Sequence, residues 1–266
     1  MLNIALISAC HNRFKSTKNS FTTISKALKN TTKVNKFHFF VLDDNSKDET
    51  NDFLSNFKNT SVLRGDGNLY WAGGLLKCFN HFYEDIIKYD VLIPFNDDIN
   101  LNKIDLNDLI QKYCNLLISK KKFLLSVPSI FNKKITYGGK NFQLNSLLPI
   151  FKAVKPKKNK ILKIDVANMN FVLIPMVVIL DYGFFDKYYK HALADYAFCL
   201  KLKKFGFNSF LYDKAIIECK PNLERTKKLK FVDLIPQEKF YKEYFKFYYY
   251  LWPIRVIFKK VILWIK

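Results

Sequence analysis

The feature that most constrains this chain is a rhythm in its first 130 residues, where short apolar runs alternate with polar, helix-patterned stretches. "NIALISA" (3–9), "FHFFVLD" (37–43), "TSVLRG" (60–65), "DVLIPFN" (90–96) and "FLLSVPSI" (123–130) read as strands. Between them, 17–29, 47–57, 74–88 and 106–119 carry the spacing of amphipathic helices. Continuous apolar strands need cover on both faces, and helices between them supply it. The pattern therefore predicts an α/β fold with a mostly parallel sheet. Ligands of such sheets bind beyond the carboxyl ends of the strands, so the residues just after each strand are where chemistry belongs.

Four successive strand ends carry polar or glycine-rich clusters: "CHNR" (10–13), "DDNSKDET" (43–50), "GDGNLYWAGG" (65–74) and "NDDIN" (96–100). Singly, each has a plain structural reading. "DDNS" makes an Asx-turn in which Ser46 or Asn45 caps the following helix, and "NDDIN" makes a turn. Together they point to a ligand. Adjacent carboxylates at the end of a buried strand repel each other and lose solvation, and the remedies are solvent, a donor network or a divalent cation. Hard oxygen ligands suit Mg²⁺ or Mn²⁺, held by one or two carboxylates plus substrate phosphates. An aspartate after another strand can accept from a base N–H or a ribose hydroxyl. No GxxxxGK[ST] occurs and no GxGxxG follows the first strand, which disfavours ATPase and dinucleotide readings. A nucleotidyltransferase would want a glycine- and lysine-rich loop after the first strand, and "CHNRFKST" is not one.

Charge sets a second boundary. The 266 residues hold 44 Lys+Arg against 23 Asp+Glu, a net charge of +21. That field favours acidic partners such as phosphorylated ligands, anionic lipid or nucleic acid. Nucleic acid fits poorly, because no helix-turn-helix, RRM or zinc pattern accompanies the charge. Five scattered cysteines without a CxxC argue against disulfides or structural zinc and suit a reducing cytoplasm. Met1 leads directly into a strand-like segment with no basic leader, which predicts a cytoplasmic chain. "FVLIPMVVIL" (171–180) is too short to span a bilayer and contains a proline.

"ISACHNR", "VLDDNSKDET", "GDGNLYWAGG", "PFNDDIN" and "FFDKYYKHALADYAFCLKLKKFGF" occur in the order and approximate spacing of family 2 glycosyltransferases. The chain most resembles the bacterial rhamnosyltransferase-like branch, over roughly residues 1–225. The resemblance implies a GT-A fold, a nucleotide-diphosphate-sugar donor linked through UDP or dTDP, a divalent Mg²⁺ or Mn²⁺, and inversion at the anomeric carbon. It implies that His11, Asn12 and Arg13, with Asp43 and chiefly Asp44, hold base and ribose. Asp98 would bind the metal and Asp97 orient sugar or ribose. The loop carrying Asn68, Trp71, Gly73 and Gly74 would pass beside the donor, with the glycines allowing close approach and Trp71 forming a wall or packing the loop. "HALADYAFCLK" resembles the element that carries the catalytic base, which falls on Asp195. His191 would touch acceptor or diphosphate, and Tyr137–Gly139 either lines the acceptor side or forms a hairpin turn.

Three positions depart from the family pattern. Ala194 and Ala197 replace acids, and Lys201 replaces an arginine, losing a bidentate contact. The alternative they raise is a nucleotide-sugar-binding chain with weak or no turnover. Where many members carry a metal-binding histidine, this chain has "IIECKPN", which leaves Cys219 as a soft ligand or a buried structural thiol.

From residue 226 the character changes: 226–266 holds ten Lys/Arg, three acids and twelve aromatics. This composition reads as an interfacial helical appendage on anionic lipid, or as a helix that packs its aromatics onto the catalytic domain. The expected organisation is a catalytic domain over 1–225 and a basic, aromatic tail over 226–266. A peripheral position at the inner face of the cytoplasmic membrane would bring it to a saccharide or polyprenyl-linked acceptor.

Overall fold

The alternation is realised as a large sheet flanked by helices, in a computed structural model that describes residues 1–101, 106–120, 122–143, 150–189, 193–220, 234–245 and 250. In chain order the first elements are β1 (Leu2–Cys10), α1 (Phe14–Lys29), β2 (Val34–Asp43), α2 (Thr50–Asn56), β3 (Thr60–Arg64), α3 (Tyr70–His81), α4 (Tyr83–Ile86), β4 (Val91–Pro94), β5 (Ile99–Asn100) and α5 (Leu106–Ser119). Then come β6 (Phe123–Ser126), β7 (Ser129–Phe131), β8 (Lys134–Tyr137), β9 (Gly139–Gln143), β10 (Ile150–Val154), β11 (Leu162–Ile164), β12 (Val166–Ala167) and β13 (Val172–Pro175). The last are α6 (Met176–Tyr182), α7 (Ala194–Lys204), β14 (Asn208–Leu211), β15 (Ile217–Cys219) and α8 (Leu234–Tyr244).

Eight strands form the main sheet in the order β11-β14-β6-β13-β4-β1-β2-β3. The β4-β1-β2-β3 block and the β6–β14 pair are parallel, whereas β13 runs antiparallel to both β4 and β6. A smaller sheet has the order β5-β15-β7-β8. Register aligns the strand ends: Cys10 lies opposite Asp43, Asp43 opposite Arg64, and Ile7 opposite Pro94. The loops after β1, β2, β3 and β4 therefore share one edge of the sheet, as the α/β reading requires.

Several boundaries differ from expectation, each for a local reason. The run 171–180 splits at Pro175: β13 ends there and α6 starts at Met176, since proline cannot extend a ladder but suits a helix entrance. Pro128 similarly separates β6 from β7. The helix expected from 47 begins only at Thr50, and neither Ser46 nor Asn45 caps it. The helix expected from 74 starts earlier, at Tyr70, whose φ of +57° makes the turn into α3.

The core on the α1 side is aromatic. Phe21 of α1 meets Phe39 of β2 at 4.8 Å, Phe95 at 5.3 Å and Phe57 at 5.9 Å between ring centroids. Phe21, Phe39 and Phe95 are all fully buried, and burial of each such ring contributes roughly 1.5–3 kcal/mol. Phe95 directly precedes Asn96–Asp97–Asp98, so this core anchors the segment that carries the paired carboxylates.

The chain divides into two compact units, one of residues 1–141 and 153–221, the other of 142–152 and 222–266. In the second unit, Phe142 and Phe151 pack at 4.8 Å, and Phe142 meets Phe245 at 5.1 Å. Phe240 of α8, 1% exposed, stands 6.4 Å from Phe151. Part of the tail's aromatic content thus forms a small core with residues 142–151. The rest of the expected tail lies outside the described residues, among which no helix is long and apolar enough to cross a membrane.

Gly74 lies inside α3, where a Cβ would stand 2.9 Å from Ala9 Cβ and 3.3 Å from Leu42 Cδ2. This glycine permits close approach of helix to sheet. Gly74→Val is expected to destabilise the chain by about 1–3 kcal/mol, because overpacking forces backbone shifts. Chemical denaturation measures it; an unchanged midpoint would show that α3 has room to spare.

Candidate active site

The end of β4 carries the most concentrated charge. Asp97 is buried at 1% exposure and accepts from the Thr17 hydroxyl at 3.2 Å. Arg13, from the turn after β1, forks across both carboxylates, with Nη2 2.8 Å from Asp97 Oδ1 and Nη1 3.0 Å from Asp98 Oδ2. Burial pushes the Asp97 carboxyl up to about 6, opposed by the Arg13 charge and reinforced by Asp98. The repulsion of adjacent carboxylates is thus answered by a guanidinium. The sequence placed Arg13 on a nucleotide, and in the structure it stands on the acids.

This donor set fits a hard divalent cation. The oxygens are carboxylate, the pair already holds a positive group, and the Asp98 side chain keeps 29% of its exposure. Among the described residues no group of three or more His, Cys, Asp or Glu is arranged to hold a metal. The protein would therefore supply part of the shell, and substrate phosphates and water the remainder. Pairing of β15 with β5 sets Cys219 opposite Ile99, and its Sγ lies 3.6 Å from Asp98 Oδ1. Burial, with the neighbouring Asp98, raises the thiol well above its ordinary range, so Cys219 stands as a protonated donor to Asp98.

The turn after β1 is clasped by the loop after β2. A ring nitrogen of His11 meets the Asp44 carbonyl at 2.6 Å, the Asn12 amide donates to Ser46 Oγ at 2.9 Å, and Asn12 Oδ1 accepts from the Lys47 amide at 2.7 Å. Ser46 thus serves Asn12 rather than a helix, while Asp48 accepts the Phe14 and Thr50 amides at the starts of α1 and α2. Asp43, fully buried, accepts from Arg64 and from the Ser46 amide, each at 3.1 Å. Asp44 turns both carboxylate oxygens to the loop after β3, accepting the Gly67 amide at 2.8 Å and the Leu69 amide at 3.0 Å. Both acids, expected on a nucleotide, here bond neighbouring strand and loop groups. Arg13, Lys15, Lys47, Asp48 and Asp52 line an open cleft of about 760 Å³. Lys15, two residues beyond "CHNR", and Lys47, inside "DDNSKDET", were not singled out from the sequence.

In the loop after β3, Asn68 is exposed and its amide donates to Asp66 at 2.9 Å. Trp71 sits in the first turn of α3, 5.6 Å from Phe185, and its buried indole N–H has no hydrogen-bond partner among the described residues. Phe185 stacks on Phe184 at 4.1 Å and meets Phe198 of α7 at 5.5 Å. Trp71 thereby links α3 to the helix carrying Asp195, which favours the packing role. Gly73 lies beside it in the same turn and Gly74 faces the sheet.

Asp195 is the second residue of α7, where the helix dipole favours its charged form. Its Oδ1 accepts the Tyr196 amide at 2.9 Å and its Oδ2 accepts Asn168 Nδ2 at 3.2 Å. Burial nevertheless raises its carboxyl to about 6, while these two donors and Lys140 pull it down. Lys201 does not reach the carboxylate with a fork; its ammonium donates to the Phe184 carbonyl at 3.5 Å. Asn168 was not foreseen, since a single asparagine in "VANMNFV" carries no motif. His191 lies outside the described residues.

Residues 6–118 match the family model described as Glycosyl transferase family 2. No curated protein matches the sequence. Among solved structures, GalNAc-T7 with UDP, GalNAc and Mn²⁺ aligns at a TM-score of 0.58 and 14% identity, covering 82% of this chain and 44% of that one. S. aureus TarS 1-349 in complex with UDP aligns at 0.56 and 14%, covering 85% and 62%. The mannosyltransferase PcManGT from Pyrobaculum calidifontis, in complex with GDP-Man and Mn²⁺, aligns at 0.56 and 9%, covering 83% and 57%. This chain thus spans less than two thirds of each of those chains, and at such identities the likeness is one of fold. The architecture is the GT-A fold, and residues 6–118 within it match the model of glycosyl transferase family 2.

Proposed function

We propose that this chain transfers a sugar from a nucleotide-diphosphate-sugar to an acceptor hydroxyl, with inversion. The observation that carries the reading is the pairing of two carboxylate stations in one compact unit. Asp97–Asp98 ends β4 with a cation already across it, and Asp195 is a half-buried acid with its carboxyl raised towards neutrality. The family match over the first station and the nucleotide and Mn²⁺ bound by the structural neighbours support it.

In this reading Asp98 would hold Mg²⁺ or Mn²⁺, which would supply Lewis-acid stabilisation of the leaving diphosphate. Asp97, neutralised by Arg13, orients sugar or ribose. The loops built on His11, Asn12, Asp43 and Asp44 wall the nucleotide, with Asn68 exposed at their rim and Trp71, Gly73 and Gly74 behind it. Asp195 takes the proton from the acceptor hydroxyl as that oxygen attacks, a role suited to a carboxyl whose burial raises its basicity. Asn168 and the Tyr196 amide give that carboxylate a supporting shell despite Ala194 and Ala197, which favours a working base over an inactive chain. We further propose a hexosyl or deoxyhexosyl donor linked through UDP or dTDP, a saccharide or polyprenyl-linked acceptor, and work at the inner face of the membrane. The excess of +21 supports the anionic surface.

Two measurements test this. Against a panel of UDP-, dTDP- and GDP-sugars, Mn²⁺-dependent transfer or donor hydrolysis is expected, with Asp98→Ala lowering the rate at least about a hundredfold. Full activity in that variant would remove the metal role. Asp195 works only when ionised, so kcat/KM is expected to fall as pH drops through about 6, roughly tenfold per pH unit below it. Asp195→Asn is expected to lose about 10²–10⁴-fold; an active variant would move the base elsewhere.

A further inference from the structure

The segment Ala167–Phe171 is fastened to its surroundings at nearly every residue. The Ala167 amide donates to Cys199 Sγ of α7 at 3.3 Å, and the Asn168 amide to the Gly138 carbonyl at 2.8 Å. The Asn170 carbonyl accepts the Asn96 amide at 3.1 Å, just ahead of Asp97, and Phe171 bridges to Phe95. Its two asparagine side chains diverge. Asn168 Nδ2 donates to Asp195 Oδ2 at 3.2 Å, with the Tyr196 hydroxyl at 3.5 Å. Asn170, buried, donates to Cys219 Sγ at 3.6 Å, and that thiol in turn donates to Asp98 Oδ1. One short stretch thus touches both carboxylate stations, two residues apart.

We propose that Asn168 is a positioning residue for Asp195, holding the carboxylate in one orientation and, through Asn170, at a fixed offset from Asp97 and Asp98. This rests on the glycosyltransferase reading and deepens it. An ionised carboxylate with one oxygen on its helix amide still swings about its own bond, and a second donor on the other oxygen stops that rotation. A base misplaced by about 1 Å costs on the order of a hundredfold in rate, so a polar tether is a direct way to keep it in place. The other described groups facing Asp195 are the Lys140 ammonium from β9, which lies 5.3 Å from the Tyr196 ring, and Tyr196 and Cys199 from α7. Among the described residues, Asn168 is the side chain that hydrogen-bonds the carboxylate, beside backbone donors of the helix start, so its removal frees that oxygen.

The test uses the full chain labelled with [γ-¹³C]aspartate, with the Asp195 resonance assigned by its loss in Asp195→Asn. Asn168 donates to the ionised form, so removing it is expected to raise the Asp195 titration midpoint by about one pH unit. Asn168→Ala and Asn168→Leu, the second of nearly unchanged volume, are both titrated after thermal melts establish that they fold. On any donor turned over, the acid limb should move up by the same amount, and the loss from a swinging carboxylate, up to about a hundredfold, should persist at alkaline pH. An unmoved midpoint in a folded variant, or full activity at alkaline pH, overturns the proposal. Full transfer by Asp195→Asn would instead defeat the glycosyltransferase assignment of the base, while the titration would still report whether Asn168 holds that carboxylate.

Discussion

The site depends on a charge removed from water. Asp97 is buried at the end of β4, and an ionised carboxylate there is tolerated only because Arg13 and Thr17 meet it. That requirement fixes more than one side chain. Arg13 must leave β1 at a set angle, Thr17 must lie one turn into α1, and Phe21, a turn later, must reach the ring of Phe95. The aromatic core and the ion pair therefore specify the same placement of α1 against β4. The raised carboxyl of Asp97 shows that the pairing is incomplete compensation: the fold holds this charge at some expense to itself, as functional sites do.

A second theme is the internal use of acids. Asp43, Asp44 and Asp48 all follow β2, and all three spend carboxylate oxygens on amides or on an arginine of neighbouring loops. Loops at the edge of a parallel sheet have backbone donors without ladder partners, and acceptors must come from side chains. The result is a rim whose shape is set before any ligand arrives. Preorganisation of this kind lowers the cost of ordering loops on binding. Beside this rim, Arg13, Lys15 and Lys47 share a cleft with Asp48, Glu49 and Asp52.

Much of the fold was legible in the sequence because apolar strands and helix spacing follow burial directly; α5 occupies the residues its pattern indicated. Boundaries shifted where a proline or a side-chain acceptor intervened, as at Pro175 and at Tyr70. Asp97 and Asp98 stood out in the sequence because paired acids at the end of a buried strand repel each other, whereas Asp195 stood out only through the resemblance of its motif. Asn168 was not legible, and although Cys219 was noted, its contact with Asp98 was not; both lie far along the chain, and the sheet order brings them there. The ways Asp44 and Gly74 face were not legible, since a motif picks out a residue and not its direction.

The aromatic contacts of the second unit carry a consequence for dissecting the protein. Phe142 and Phe151 belong by sequence to the middle of the chain, yet their rings pack on Phe240 and Phe245. A chain cut after residue 225 would keep the first pair of rings and discard the second. It would present bare aromatic surface to solvent, a patch prone to self-association. The terminal segment is thus a lid on a hydrophobic seam before it is anything else, and a shortened protein would report the exposed seam together with the missing tail.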